Sequence, residues 1–291
     1  MTRALGPFPD QLLVSFAPPA DRQLPRMLWL DDPLTRDPHH SGPAAHLARL
    51  AERYPVPPGF VMSFSSFPPS TIRPSELVFA YRQLASSAGE PEPAVVVRAL
   101  TPDSTSISLP GRPNTIANVR GVSAIAAAIE ACASATARHD VQRSVIVQLM
   151  VHADVSVMAY SVETFTSDSE HVVISARWGL GMGSCDPACG ADRWLVRVSD
   201  GKIVDSSLGD KKRMLVSATD GVAETAVPDE MRNLATLTDE QVHQVTTLCS
   251  LLRAEHGAPI CLDAAFAGGW LSLLQCRSMP CNEFGAREPA A

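Results

Sequence analysis

The 291-residue sequence has no run of lysine and arginine: its 24 basic residues are scattered, 31 acidic residues outnumber them, and the net charge is −7. A nucleic-acid or anionic-membrane footprint needs clustered positive charge, so neither partner is expected and small molecules or other proteins take their place. Long apolar runs are missing too, since none approaches the roughly 18 residues that cross a bilayer. Prolines interrupt the N-terminal stretch MTRALGPFPDQLLVSFAPPADR, so it has no continuous apolar segment of the kind a signal peptide uses. Cysteine is sparse and odd in number, with seven residues at positions 132, 185, 189, 249, 261, 276 and 281, most of them inside apolar runs. That argues against a secreted disulfide framework and for reduced thiols in a soluble, cytoplasmic protein. No internal repeat with a period of roughly 20–50 residues is visible.

Apolar material, by contrast, is plentiful. At 45% hydrophobic against 19% charged residues, the chain can bury one large core or two small ones and is not a disordered polymer. Residues 1–24 read as a Pro-rich extension, 25–280 as the folded region and 281–291 as a polar tail. Helices are expected over 43–53, 74–87, 122–138 and 239–255. The second starts at Pro74 and stops before Gly89; the fourth opens on a capping box, Thr238 with Gln241, and carries Val242, Val245, Leu248, Leu251 and Leu252 as one apolar stripe. Strands are expected over 95–98, 144–151, 155–162, 171–177, 194–198, 259–263 and 270–277. Helices and strands interleave without a regular strand–helix period, so the class is α+β, with sheets covered by helices on one face.

Two segments could carry chemistry. The strand Ala94–Val97 ends in Arg98 and runs into TPDSTSISLPGRPNTIANVRG, a polar loop rich in Ser, Thr, Gly and Pro. A guanidinium fork beside backbone N–H groups near Gly111 suits phosphate; a strand-end arginine paired with a surface carboxylate is the plainer alternative. Near the C-terminus, PICLDAAFAGGWLSLLQCR places Asp263 on one strand and Gln275 and Arg277 on the next, around a turn at Ala267–Gly269. The period of two puts Gln275 and Arg277 on one face, and a carboxylate, an amide oxygen and an arginine together suit a Mg²⁺-bound polyphosphate. A hydrogen-bonded network buried in the hairpin would use the same residues. Other signals are poor: WGLGMG at 178–183 lacks the context of a dinucleotide or Walker loop, CDPAC has the wrong spacing for a zinc knuckle, and His39, His40 and His46 fit a Pro-flanked surface loop.

Taken in order, HLARLAERYPVPPGFVMS, VVVRALT, SLPGRPNTIANVRG, VIVQLMVHADVSVMAYSV, VVISARWGLGMG, DRWLVRV, LGDKKRMLV, LTDEQV and APICLDAAF…WLSLLQCR resemble the N-terminal nucleotide-binding domain of the pyruvate phosphate dikinase and phosphoenolpyruvate synthase family, which includes rifampicin phosphotransferases. The resemblance runs over about residues 25–280, and the twelve-residue step from Asp263 to Gln275 is its sharpest element. It implies an ATP-grasp-like fold whose two lobes hold ATP between sheets. By position, Arg98 corresponds to a phosphate-contacting arginine, and Gly111 and Thr115 to a lid loop that touches the phosphates. Gln148 matches a nucleotide-pocket glutamine. Asp263 stands where the family has a metal-binding glutamate, Gln275 is the second metal-side residue, and Arg277 is the following phosphate-binding arginine. Lys211 or Lys212 matches a recurrent lysine. The cofactors implied are ATP and Mg²⁺, with Arg98 and Arg277 as catalytic cations.

The departures have consequences of their own. The family's Gly-Gly-Lys reads Ser41-Gly42-Pro43 here, two acidic positions read Ser175 and Met182, and a glycine is missing between Ser156 and Val157. A charge-assisted hydrogen bond is worth about 1.5–3 kcal/mol, so without those charges weaker or reorganised ATP binding is expected. None of the eight histidines lies in a Thr-x-Gly-Gly-x-x-x-His motif, the family's phosphoryl carrier. The resemblance therefore implies the ATP-binding component of a split phosphotransferase, serving a separate protein that carries the phosphohistidine and acceptor domains, with secondary-metabolite phosphorylation as one setting. The alternatives are a non-catalytic nucleotide sensor or scaffold, and a stand-alone ATP-grasp kinase or ligase acting on a small molecule.

Overall fold

A computed structural model describes residues 27–64, 73–100, 115–135, 143–162, 168–181 and 190–279. Gly111, Met182, Cys185 and Cys189 lie outside them.

Two antiparallel sheets form the two lobes. The smaller contains β1 (Met27–Trp29), β2 (Gly59–Phe64), β3 (Val95–Leu100), β4 (Thr115–Val119) and β5 (Arg143–Leu149), in the order β1-β2-β5-β3-β4. The larger contains β6 (Val155–Tyr160), β7 (His171–Trp178), β8 (Asp192–Arg197), β9 (Ile203–Ser207), β12 (Ile260–Ala267) and β13 (Trp270–Ser278), in the order β13-β12-β6-β7-β8-β9. The hairpin β10 (Arg213–Ser217) and β11 (Val222–Ala226) stands apart as a two-stranded sheet. Residues 150–154 link β5 of one sheet to β6 of the other, and this short connection between the lobes is called the hinge below. The α+β class and the two-lobed organisation agree with the expectation.

Each sheet is covered according to its apolar pattern. On the smaller, α3 (Pro74–Ala88) and α4 (Val122–Ala135) pack Leu77, Leu84, Ile125 and Ile129 against Val95, Val97, Val145 and Val147. Pro74 occupies the first turn of α3 and Gly89 ends it at φ 68°, the left-handed cap that glycine adopts without strain. The opposite face is not bare, contrary to expectation. Beyond the short turn α1 (Pro38–Ser41), Leu47 and Ala48 of α2 (Ala45–Leu50) cover Val61, Leu100 and Ile146. Leu50, at the end of the same helix, belongs to the core of the larger lobe, so this segment ties the lobes together.

The larger sheet is backed by α6 (Asp239–His256), which follows the single turn α5 (Asp229–Arg232). Its capping box forms as expected, with the Thr238 side chain accepting from the Gln241 amide and the Gln241 side chain accepting from Thr238. Val242, Val245, Leu248 and Leu252 enter the core beside Ile174, Val196 and Leu262. Leu251 departs from the stripe and is 50% exposed, since the 3.6-residue period places it off the face that 245, 248 and 252 define. Among the described residues, no helix is long and apolar enough to cross a membrane.

Candidate functional site

The site is built around the β12–β13 hairpin. Its turn is the dipeptide Gly268–Gly269, both at positive φ (55° and 83°), the geometry of a tight two-residue hairpin turn. That turn fixes the register: Asp263 faces Gln275 and Cys261 faces Arg277. The pairing then shifts, so that Ala264 opposes Leu273 and Leu274 becomes the extra residue of a β-bulge. The bulge has a use. The Leu274 carbonyl oxygen accepts from Arg98 Nη1 at 3.4 Å, and Gln275 Oε1 accepts from the same nitrogen at 3.0 Å. Arg98 lies on β3 of the other sheet, so the expected convergence of Arg98, Asp263, Gln275 and Arg277 occurs across the two lobes.

Electrostatics follow from this crowding. Burial pushes the Asp263 carboxyl above its ordinary value, opposed by Arg277 and then Arg98. Burial likewise pulls the Arg98 guanidinium down, with Asp263 opposing it. At Arg277 burial acts in the same downward sense, but the pull of Asp263, assisted by Cys261, outweighs it and the value rises. Arg277 Nη2 also donates to Cys261 Sγ at 3.6 Å. Thr115 pairs with Arg98 across β4 and β3. Thr115 Oγ1 and Arg98 Nε are both buried with no hydrogen-bond partner, a cost that a ligand oxygen would relieve.

Toward the hinge the same cleft turns apolar. A cavity of about 70 Å³ is lined by Arg98 at one end and by Val96, Ala117, Met150, Leu180 and Ala265 toward the other. Gln148 lies on its wall, but its Nε2 is engaged by the Pro57 carbonyl at 3.1 Å. Small-molecule sites run to roughly 300–1,000 Å³, so the cavity as it stands is too small to hold a whole nucleotide. The apolar wall was not legible in the sequence; its only signal was the short connection between strands 144–151 and 155–162.

One expected member has another task. Lys211 is 3% exposed, and its Nζ pairs with the fully buried Asp192 of β8. Asp192 also accepts from the Gly209 amide and from the Thr236 amide, each at 2.8 Å, and from the Thr236 hydroxyl at 2.9 Å. The Lys211 ammonium, expected by resemblance on the nucleotide side, is thus engaged by a buried carboxylate in this structure. Lys212 pairs with Asp210 at 2.6 Å in solvent. At the altered positions, Ser41 donates its hydroxyl to the Thr35 carbonyl and its own carbonyl accepts from Ser144, so this buried turn presents no cation. Ser175 is buried on β7, opposite Met158 and Arg193.

A family model described as "Pyruvate phosphate dikinase, AMP/ATP-binding domain" matches residues 61–288. A probable phosphoenolpyruvate synthase of Methanocaldococcus jannaschii is 25% identical over 74% of this chain and 20% of its own length. The prodigiosin synthesizing transferase PigC of Serratia marcescens is 26% identical over 84% and 32%, and the rifampicin phosphotransferase of Bacillus subtilis 30% over 70% and 25%. The chain thus spans a fifth to a third of the length of these relatives. Among solved structures, a D-alanine–D-alanine ligase of Bacillus anthracis complexed with ATP overlaps 82% of this chain and 55% of its own at a TM-score of 0.38 and 9% identity. With 228 consecutive residues matched, the chain belongs to the family of the pyruvate phosphate dikinase AMP/ATP-binding domain.

Proposed function

We propose that the cleft binds ATP with its base toward the apolar hinge end and its phosphates toward Arg98, Thr115 and Arg277, and that a phosphoryl group passes from it to a histidine on a separate protein. The observation that carries this reading is Arg98, whose buried Nε has no partner and whose side chain lines a mostly apolar cavity, with the unpartnered Oγ1 of Thr115 on the strand position paired to it. A polyphosphate supplies the acceptors that these groups lack. Gln148 shapes the wall and, with its amide tied to Pro57, holds the β2–β5 edge of the pocket in place. Gly111, whose position lies outside the described residues, belongs to the same proposal as a phosphate-side residue of the lid loop.

Asp263 and Gln275 fit a magnesium ion in the character of their donors, two hard oxygens facing each other across β12 and β13. Among the described residues no group of three His, Cys, Asp or Glu side chains could hold a metal, so the remaining ligands would come from phosphate and water. When bound, Mg²⁺ would neutralise phosphate charge. The residues of the chain do the rest: Arg98 offers its unpartnered Nε to a phosphate, Arg277 supplies a second cation, and both spread the charge of an in-line transfer. The relatives are about three to four times as long as this chain, which leaves room in them for further domains; in this reading the histidine and the acceptor site are on a separate protein.

The buried Ser41–Gly42–Pro43 turn favours a second reading, nucleotide binding without transfer, because it offers no cation where the family pattern has lysine. Incubation with γ- and β-labelled ATP separates the two. Acid-labile, base-stable label should appear only on an added protein bearing the Thr-x-Gly-Gly-x-x-x-His motif. Label on His39, His40 or His46 of the isolated chain would point instead to a self-contained kinase. ATP binding with no label on any such protein would leave the sensor.

A further inference from the structure

The β10–β11 hairpin belongs to neither sheet, yet it bonds to both lobes and to the segment that links them. From the larger lobe, Gly179 bridges to Leu215 and the Leu180 amide donates to the Leu215 carbonyl at 2.8 Å. The approach is so close that a Cβ on Gly179 would lie 2.2 Å from that oxygen. From the hinge, His152 Nδ1 lies 3.1 Å from Ser217 Oγ. From the smaller lobe, Asn118 Nδ2 donates to the carbonyls of Ala218 and Gly221, at 2.6 and 2.7 Å. Those two residues flank the hairpin turn, so one side chain holds both of its sides.

Asn118 is built for this contact at some expense. It is the only non-glycine residue at positive φ among the described residues, at 56°. It sits in a β-bulge, where β4 advances three residues from Ile116 to Val119 while β3 advances two from Val97 back to Val95. It is 6% exposed, and its Oδ1 is buried without a partner. A left-handed asparagine and an unsatisfied acceptor are both unfavourable, and both come with aiming Nδ2 at the hairpin. The hairpin in turn contributes Leu215 and Val222 to the apolar cluster that Ala94, Ala117, Met150 and Leu180 form at the hinge end of the cavity.

We propose that Asn118 is a positioning residue for nucleotide binding: it latches the β10–β11 hairpin as a strap across the hinge, closing the base end of the cleft and slowing nucleotide release. This rests on the ATP reading given above. The strap spans both lobes, so separating them to release a ligand strains the Asn118 bonds on one side or the Leu215 bonds on the other. Loss of the latch therefore accelerates dissociation, while association to an already open cleft changes little.

Two variants of the full chain test this. Asn118→Gly keeps the backbone conformation and removes the side chain; Asn118→Asp keeps the shape and sets an oxygen against two carbonyls. Hydrogen exchange without ligand should show residues 213–226 exchanging about tenfold faster in both, with β12–β13 unchanged, since two hydrogen bonds are at stake. Stopped-flow measurement with a fluorescent ATP analogue should show release accelerated by about tenfold and an unaltered association rate. Unchanged exchange of the hairpin in both folded variants overturns the latch. A loosened hairpin with an unchanged release rate overturns the positioning role. If wild type binds no analogue, the ATP reading fails and takes the positioning role with it, while exchange still decides whether Asn118 holds the hairpin.

Discussion

The two hairpins of the molecule are held in opposite ways. β12–β13 lies at the edge of the larger sheet with one face in the core, where Leu262, Ala264, Phe266, Leu273 and Cys276 are buried; its polar residues alternate with them and reach the cleft. β10–β11 has no fully buried residue: Leu215 and Val222 pack half-buried against a small apolar cluster, the rest are exposed or half-buried, and its position depends on Gly179, His152 and Asn118 at its margins. A hairpin that alternates apolar and polar residues fixes its own side chains; one without alternation is placed by whatever grips it. The proposed phosphate site accordingly draws on the first, and the proposed latch acts on the second.

The largest effect expected on stability is in the first hairpin. Phe266→Ala removes a fully buried ring and should cost about 3–5 kcal/mol in denaturant unfolding. Lys211→Met should cost a similar amount, about 3–5 kcal/mol, because it leaves Asp192 buried and uncompensated. Where that variant folds, calorimetry should find its ATP affinity unchanged; a specific loss of affinity would return Lys211 to the site. In the second hairpin the scale is smaller. Glu224→Ala breaks only an exposed pair with Arg213, so it should shift stability by less than about 1 kcal/mol, and a shift as large as that of Phe266→Ala would erase the contrast between the hairpins.

The contrast also explains what was legible in the sequence. The Gly268–Gly269 turn, the alternation around Asp263, Gln275 and Arg277, and the Thr238–Gln241 box are local signals, and each appears where expected. Strands β2 and β4 were not expected: GFVMSF and TIANV carry no alternation, and a sheet supplies their partners from β5 and β3. RMLVS and VAETA read as loop because most of their residues stay out of the core. Arg98 and Thr115 could be named singly, but that both carry an unpartnered buried atom depends on their pairing across β3 and β4. The pairing of Lys211 with Asp192 was not legible because Asp192, nineteen residues earlier, becomes its neighbour only through the fold.

Two pH effects sharpen the account at smaller amplitude. Because burial raises the Asp263 carboxyl, the folded chain holds that proton to higher pH than a free aspartate; Mg²⁺ competes with it, so magnesium-dependent ATP binding should weaken as pH falls while still above the ordinary carboxylate range. Titration calorimetry across pH checks this, and Asp263→Asn should abolish both the dependence on Mg²⁺ and its pH profile. His46 shifts the other way. Burial, then the neighbouring His256 and Arg49, lowers it below 6.5. The unfolded state then binds the proton more readily, so stability present above pH 6.5 is lost as pH falls toward the lower folded value. His46→Gln should flatten that slope in thermal melts.

The central claim is that the polar end of the cleft binds the phosphates of ATP, and calorimetric titration of wild type and Arg98→Ala with ATP, each with and without Mg²⁺, tests it most directly. Wild type should bind with an affinity that rises on adding Mg²⁺, and Arg98→Ala should lose about tenfold to a hundredfold, the scale of a charge-assisted hydrogen bond. Equal affinity in the two proteins, or no binding by wild type at millimolar ATP, would contradict it.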